Sequence, residues 1–141
     1  MNPLRQLDDR LLISINDFAR HTPWLHAPML GYASYGVVLF GALLLLGLLI
    51  TRHAASGRLA AAGWAVLAPL IALALNQAVG QLFHEARPYV THPQILLLAD
   101  VTVDFSFPSD HAVMAGAVAA GLLMVGRRLG VIAALLAALL A

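Results

Sequence analysis

The chain has 141 residues, of which 61% are hydrophobic and only 11% are charged. An ordinary soluble domain carries roughly 25% charged residues, so this composition excludes both a typical soluble domain and a disordered chain. The net charge of +1 and the absence of lysine argue against a polybasic nucleic-acid binder, and no nucleic-acid partner is expected. The absence of cysteine excludes disulfides, thiolate zinc sites and cysteine nucleophiles.

Residues 1–28 form the first predicted element, an amphipathic interfacial segment. Its apolar side chains recur at helical spacing, and charged side chains occupy the other positions. The apolar set comprises Leu4, Leu7, Leu11, Ile15 and Phe18. Such a helix either lies on the membrane surface or packs against the protein's own loops, and the sequence favours neither arrangement.

Four apolar runs follow, and they predict an all-α fold of the polytopic membrane helix bundle type. Residues 29–50 and 59–79 are uncharged and long enough to cross a bilayer, which needs about 20 apolar residues. Residues 110–126 predict a third membrane helix, in which Ala112, Gly116 and Ala120 form a small-residue face for close helix packing. Residues 129–141 begin a fourth helix. We therefore expect one membrane domain, with three full spans plus the start of a fourth, that is truncated at its C-terminus.

Arginines mark one side of the predicted bundle. Arg52 and Arg58 lie between the first two spans, and Arg127 and Arg128 lie between the last two helices. By the positive-inside rule these short loops face the cytoplasm, so the long loop at residues 80–110 faces outside. Long loops of this kind are usually functional, and we expect the site here. The titratable side chains of this region are His84, Glu85, Arg87, His92, Asp100, Asp104, Asp110 and His111.

Two segments of this region carry the candidate chemistry. In the first, Pro88 is expected to end the second span and to hold Arg87 at the helix exit, where a guanidinium can bind phosphate. Taken alone, such an arginine more often snorkels to the interface. In the second, Ser109 and backbone N–H groups at a helix start form an anion site, and His111 can transfer a proton. Taken alone, that segment is more often an N-cap by Ser109 or Asp110.

Other chemistries fit less well. Three consecutive residues, Ser109, Asp110 and His111, cannot form a Ser-His-Asp triad, because neighbours on a helix or strand do not face one another. The six histidines show no H-x-x-x-H or equivalent zinc spacing, so no metal or other cofactor is predicted.

The pair ARPY and SFPSDHA resembles the first two of three motifs of the type 2 phosphatidic acid phosphatase (PAP2) superfamily. With the intervening THPQILLL run, it is most similar to the bacterial undecaprenyl-diphosphate phosphatases of that superfamily. The resemblance implies that Arg87 and Ser109 bind the substrate phosphate and that His111 is the general acid that protonates the leaving group. It also implies an integral protein of the bacterial cytoplasmic membrane that cleaves a lipid phosphate or polyprenyl diphosphate without a metal.

The sequence departs from the superfamily pattern in three places. Gly80 stands where the first motif has lysine. Either His84 or another group is the substitute phosphate ligand, or binding rests on Arg87 and backbone donors. Asp110, which we include in the phosphate site, stands where many members have glycine. Its charge weakens phosphate binding unless it pairs with Arg87 or favours the protonated form of His111. The third motif, which supplies the nucleophilic histidine, is absent, and we expect it beyond residue 141.

Two hypotheses of function result. The first is a membrane lipid phosphatase, most specifically one that converts undecaprenyl diphosphate to undecaprenyl phosphate through a phosphohistidine. The second is a non-catalytic membrane fragment that binds anionic head groups or packs with another chain. The missing nucleophile and Gly80 motivate the second hypothesis, and the sequence gives no information on oligomeric state.

Overall fold

The structure is a computed structural model that describes residues 3–54, 56–99, 101 and 106–140, without the side chain of Leu4. Every regular element in this part of the chain is helical, so the predicted all-α fold is confirmed. The six helices are α1 (Pro3–His21), α2 (His26–Thr51), α3 (Ser56–Phe83), α4 (Pro88–Thr91), α5 (Asp110–Val125) and α6 (Arg127–Leu140), with a single 3₁₀ turn at Pro23–Leu25.

Two of the helical segments described are long and apolar enough to cross a membrane, Pro23–Thr51 and Ser56–Thr91. Many of their large apolar side chains are exposed, as lipid-facing groups would be; Val38, Leu70 and Leu75 are examples. α5 is also apolar but has only 16 residues, which gives about 24 Å at 1.5 Å per residue. The prediction of three full spans and the start of a fourth is therefore supported only for its first two spans, α2 and α3.

The core forms around α5, which packs mainly against α3 and α6 and also contacts α2. Phe40, Val118 and Leu122 are fully or almost fully buried there. Gly121 lies so close to α3 that a Cβ atom added to it would be 2.6 Å from the Cα atom of Ala65. A larger residue at this position would force the two helices apart, because real side chains do not approach so closely.

The small-residue face predicted for α5 is wrong. Gly116 and Ala120 are exposed, and a Cβ added at Gly116 would meet nothing within 4 Å. The close contacts are made instead by Gly121, and by Gly130 of α6, which lies against Leu123. α5 carries small residues on several faces, so their spacing alone does not identify the face that meets a neighbouring helix.

α3 and α5 are antiparallel neighbours. At one end the Arg58 guanidinium donates a hydrogen bond of 3.4 Å to the Val125 carbonyl oxygen, and at the other end Asn76 of α3 contacts Asp110 of α5. The end of α3 and the start of α5 are therefore neighbours. The start of α2 lies beside the C-terminal part of α6, because the Tyr32 hydroxyl donates a hydrogen bond to the Leu136 carbonyl oxygen at 2.6 Å.

One face of α1 packs against the loop that follows α4. The Asn16 amide donates to the Leu96 carbonyl oxygen at 3.2 Å, and its oxygen accepts from the Leu96 N–H at 3.0 Å. The Arg20 guanidinium donates a hydrogen bond to the Gln94 carbonyl oxygen. The Asp9 Oδ1 atom lies 3.5 Å from the His92 Nε2 atom. Of the two arrangements left open by the sequence, packing against the protein's own loop is thus present. The apolar set that the sequence predicted for α1 remains exposed, however; its described members are Leu7, Leu11, Ile15 and Phe18.

Candidate active site

The first candidate segment begins where α3 ends. The helix stops at Phe83, and His84 follows with a φ of 48°, in the left-handed region that ends helices. Arg87 is extended (φ −66°, ψ 147°), as expected for a residue before proline. Pro88 therefore begins the short helix α4 and does not end α3, so the prediction that Arg87 lies at the exit of α3 is wrong by one helical turn. The Arg87 side chain is half-buried, and its Nε atom is fully enclosed.

The second segment opens α5. Ser109 is the N-cap residue, and its Oγ atom accepts a hydrogen bond of 3.3 Å from the Ala112 N–H. The capping alternative is therefore present in the structure. It does not compete with phosphate binding, because a hydroxyl that accepts through a lone pair still has its own proton to donate. His111 is exposed in the first turn of α5, where the first N–H groups of a helix favour anions.

Three contacts bring the two segments together. The Ser106 N–H donates to the Glu85 carbonyl oxygen at 2.9 Å. The rings of Phe83 and Phe107 pack edge to face, with centroids 5.7 Å apart and planes at 88°. The Asn76 amide donates to the Pro108 carbonyl oxygen at 3.2 Å. The chain just before Arg87 and the chain just before Ser109 are therefore fixed at the same end of the α3–α5 pair.

Asp110 makes its hydrogen bonds with two amides of α3. Oδ1 accepts from Asn76 at 2.6 Å, while Gln77 donates to Oδ1 at 3.1 Å and to Oδ2 at 3.0 Å. The sequence suggested that Asp110 acts through Arg87 or His111, and these two amide partners were not predicted. A signal was available, since Asn76 and Gln77 are adjacent strongly polar residues at the end of an apolar helix, and polar groups in a span need a partner.

Gly80 faces the second segment. A Cβ atom at this position would lie 3.8 Å from Pro108 Cδ and 3.9 Å from the Phe107 carbonyl oxygen, which is ordinary contact distance. His84 follows one turn later, with its N–H bonded to the Gly80 carbonyl oxygen at 3.2 Å and its side chain exposed. The role of His84 as a substitute phosphate ligand stays a prediction. Asp100, Asp104 and Phe105 lie outside the described residues.

A cavity of about 330 Å³ lies beside this region, between α1 and the segment around α4. Three carboxylates line it, those of Asp8, Asp9 and Glu85, against the cationic side chain of Arg5 and the imidazole of His92. This excess of negative charge makes the cavity a poor phosphate site. Within the described residues, no three histidine or acidic side chains converge as a metal site.

Comparison with known proteins gives one match. The profile of the PAP2 superfamily matches residues 59–141, which is more than half of the chain and includes both candidate segments. No curated protein and no solved structure matches. Together with the two helices that are able to span a bilayer, the match identifies a membrane protein. The chain belongs to the PAP2 superfamily, whose phosphatases act on lipid phosphates.

Proposed function

We propose that this protein is an integral membrane phosphatase that hydrolyses a lipid phosphate or diphosphate, with undecaprenyl diphosphate as the favoured substrate. The observation that carries the proposal is the pairing of the Arg87 segment with the start of α5, tied by the Ser106–Glu85 and Asn76–Pro108 hydrogen bonds. These contacts involve the chain just before Arg87 and the chain just before Ser109. A permanently charged guanidinium beside a helix N-terminus would form a site suited to a phosphoryl group.

The proposed reaction has two steps. Arg87, the Ser109 hydroxyl and the first N–H groups of α5 hold the phosphoryl group. The nucleophile is the histidine of the superfamily's third motif. It attacks phosphorus, and the bond to the leaving lipid phosphate breaks while His111 donates its proton to the leaving oxygen. Water then cleaves the phosphohistidine and releases inorganic phosphate.

The arginines support an orientation with this site on the outer face of a bacterial cytoplasmic membrane. Arg52 and Arg58 lie in or next to the turn between α2 and α3, and Arg127 and Arg128 begin α6. The bond from Arg58 to Val125 joins these two turns at one end of the bundle, opposite the candidate site. Under the positive-inside rule that end is cytoplasmic. We further propose that α5 and α6 lie within the bilayer as the third span and the start of a fourth.

The test is phosphate release from undecaprenyl diphosphate by the full-length protein in detergent, with a metal chelator present. We expect release without added metal, and a loss of about 100-fold or more in kcat/KM for His111→Ala and for Arg87→Ala. His53→Ala and Arg127→Ala are matched controls from the opposite end of the bundle, and both should retain activity. A requirement for metal, or unchanged activity in the His111 and Arg87 variants, would refute the mechanism.

The second candidate function is a non-catalytic chain that binds anionic head groups, and Gly80 is the observation that favours it. A Cβ atom at this position would make only ordinary contacts with Pro108 and Phe107, yet the position lacks the phosphate-binding lysine of the superfamily pattern. The coding sequence downstream of Ala141 discriminates between the two functions. An arginine followed by histidine and aspartate after the fourth helix supports the enzyme, whereas a stop codon supports the binding protein.

A further inference from the structure

Two adjacent amides near the end of α3 make contacts that the phosphatase mechanism above does not use. Asn76 is 6% exposed, and Asn76 and Thr51 are the buried polar residues in the part of the chain that the structure describes. The Thr51 hydroxyl donates to Gly47 in its own helix at 2.8 Å. Asn76 instead reaches across to the second candidate segment, where it binds both a backbone oxygen and a carboxylate.

Asp110 is exposed, and hydrogen bonds from α3 reach both oxygens of its carboxylate. Both carboxylate oxygens accept at least one amide N–H, and the shortest bond, 2.6 Å from Asn76, has the length of a charge-assisted contact. Asn76 also donates to Pro108, the residue directly before Ser109. The two amides thus fix the side chain of Asp110 and the turn before the N-cap at the same time.

The position of Asp110 explains why such a restraint matters. It is the first residue of α5, where the helix dipole and the first N–H groups attract anions of any kind. A carboxylate that was free to turn over this helix end would compete with a phosphoryl group for the same N–H donors and would also repel it. The amides of α3 hold the carboxylate to one side of that position.

We propose that Asn76 and Gln77 are positioning residues that hold Asp110 against α3 and thereby keep the start of α5 accessible to a phosphoryl group. The inference rests on the proposed phosphatase function and deepens it. Loss of either amide frees the carboxylate and weakens the binding of phosphate in the ground state and the transition state alike. The expected kinetic result is a higher KM with little change in kcat.

A double-mutant cycle between residues 76 and 110 in the full-length protein tests this. The binding probe is inorganic phosphate, and its binding is measured by the thermal stabilisation of the detergent-solubilised protein. KM and kcat are measured separately with undecaprenyl diphosphate as the substrate. With Asp110 present, Asn76→Ala should raise both the phosphate Kd and KM about tenfold, equivalent to about 1.4 kcal/mol. In an Asp110→Gly background the same substitution should have less than a third of that effect, because no carboxylate remains to be restrained.

Two further variants keep the test decisive. Gln77 is exposed, so Gln77→Ala leaves no internal cavity and should reproduce the rise in KM even where Asn76→Ala fails to fold. Gln81→Ala, an exposed amide one turn further along α3 with no hydrogen bond among the described residues, is the matched control and should leave KM unchanged. A rise in KM for the control equal to that for Gln77→Ala would overturn the proposal.

The outcomes separate this inference from the proposed function. Equal effects of Asn76→Ala in the Asp110 and Asp110→Gly backgrounds would mean that Asn76 only supports the fold, which overturns the inference while activity stands. Absence of lipid phosphate hydrolysis, with the coupling still present in phosphate binding, would refute the phosphatase function and retain the positioning role.

Discussion

Replacing Gly80 with lysine should strengthen phosphate binding. The superfamily pattern that the sequence resembles has lysine at this position in its first motif, and a Cβ atom here would make no close contact. The first side-chain carbon would sit in ordinary contact with Pro108 and Phe107, at 3.8 and 3.9 Å, and would point toward the turn that precedes Ser109. The flexible lysine stem can then extend along this turn and bring its ammonium group to the start of α5.

Two terms contribute to the expected effect. Gly80 is in the last turn of α3, and exchanging a helical glycine for lysine favours the helix by about 0.5–1 kcal/mol. A hydrogen bond between a charged donor and a phosphate oxygen contributes about 1.5–3 kcal/mol net. The second term corresponds to a decrease in Kd for phosphate of about 10- to 100-fold. The first term changes thermal stability and leaves the affinity unchanged.

The assay compares Gly80→Lys with Gly80→Met in the full-length protein. Methionine has a similar length and helix propensity but no charge, so it reports the steric and helical effects alone. We expect both variants to be slightly more stable than the parent, and only the lysine variant to show the lower Kd for inorganic phosphate and the lower KM for lipid diphosphate. Equal affinities for the two variants would refute the conclusion that position 80 faces the phosphate site.

Two further predictions concern the framework of the site. A Cβ at Gly121 would lie 2.6 Å from a Cα atom of α3, so Gly121→Ala should lower the free energy of unfolding by about 1–3 kcal/mol. Gly116 lies in open space on the same helix, so Gly116→Ala should be neutral or stabilising. Thermal unfolding in detergent measures both effects. Asn16→Ala removes both hydrogen bonds to Leu96 and should speed amide exchange at Leu96 about tenfold, while Ser14→Ala, an exposed control on α1, should not. Equal destabilisation by the two glycine variants, or unchanged exchange in the Asn16 variant, would contradict these predictions.

The sequence predicted the parts of the fold that depend on local chemistry. Uncharged runs identified α2 and α3 as membrane-length helices, because lipid requires long stretches without charge. The Ser109 N-cap was likewise readable, since the capping preference of serine is a local property of the chain. The end of α3 was less accessible. Pro88 is the obvious helix breaker in the sequence, yet α3 already stops at Phe83. The next residue, His84, adopts a left-handed backbone conformation that the sequence did not lead us to predict.

Properties that depend on how helices meet were not predictable from spacing. The sequence offered a stripe through Gly116 as the packing face of α5, but Gly121 makes the close approach to Ala65. The same limit applies to Asp110. The motifs suggested His111 or Arg87 as partners, whereas its amide donors, Asn76 and Gln77, come from α3, before the long loop. Long-range partners of this kind become visible only when two helices are placed side by side.

The helix pairing also explains why Arg87 and His111, although separated by a long loop, could be assigned to one side of the membrane from the sequence. α3 and α5 are antiparallel neighbours, joined near one end by Arg58 and Val125 and near the other by Asn76 and Asp110. The end of α3 must then lie beside the start of α5 whatever path the chain takes between them. Helix packing thus brings the chain segments that carry Arg87 and His111 to the same end of the α3–α5 pair.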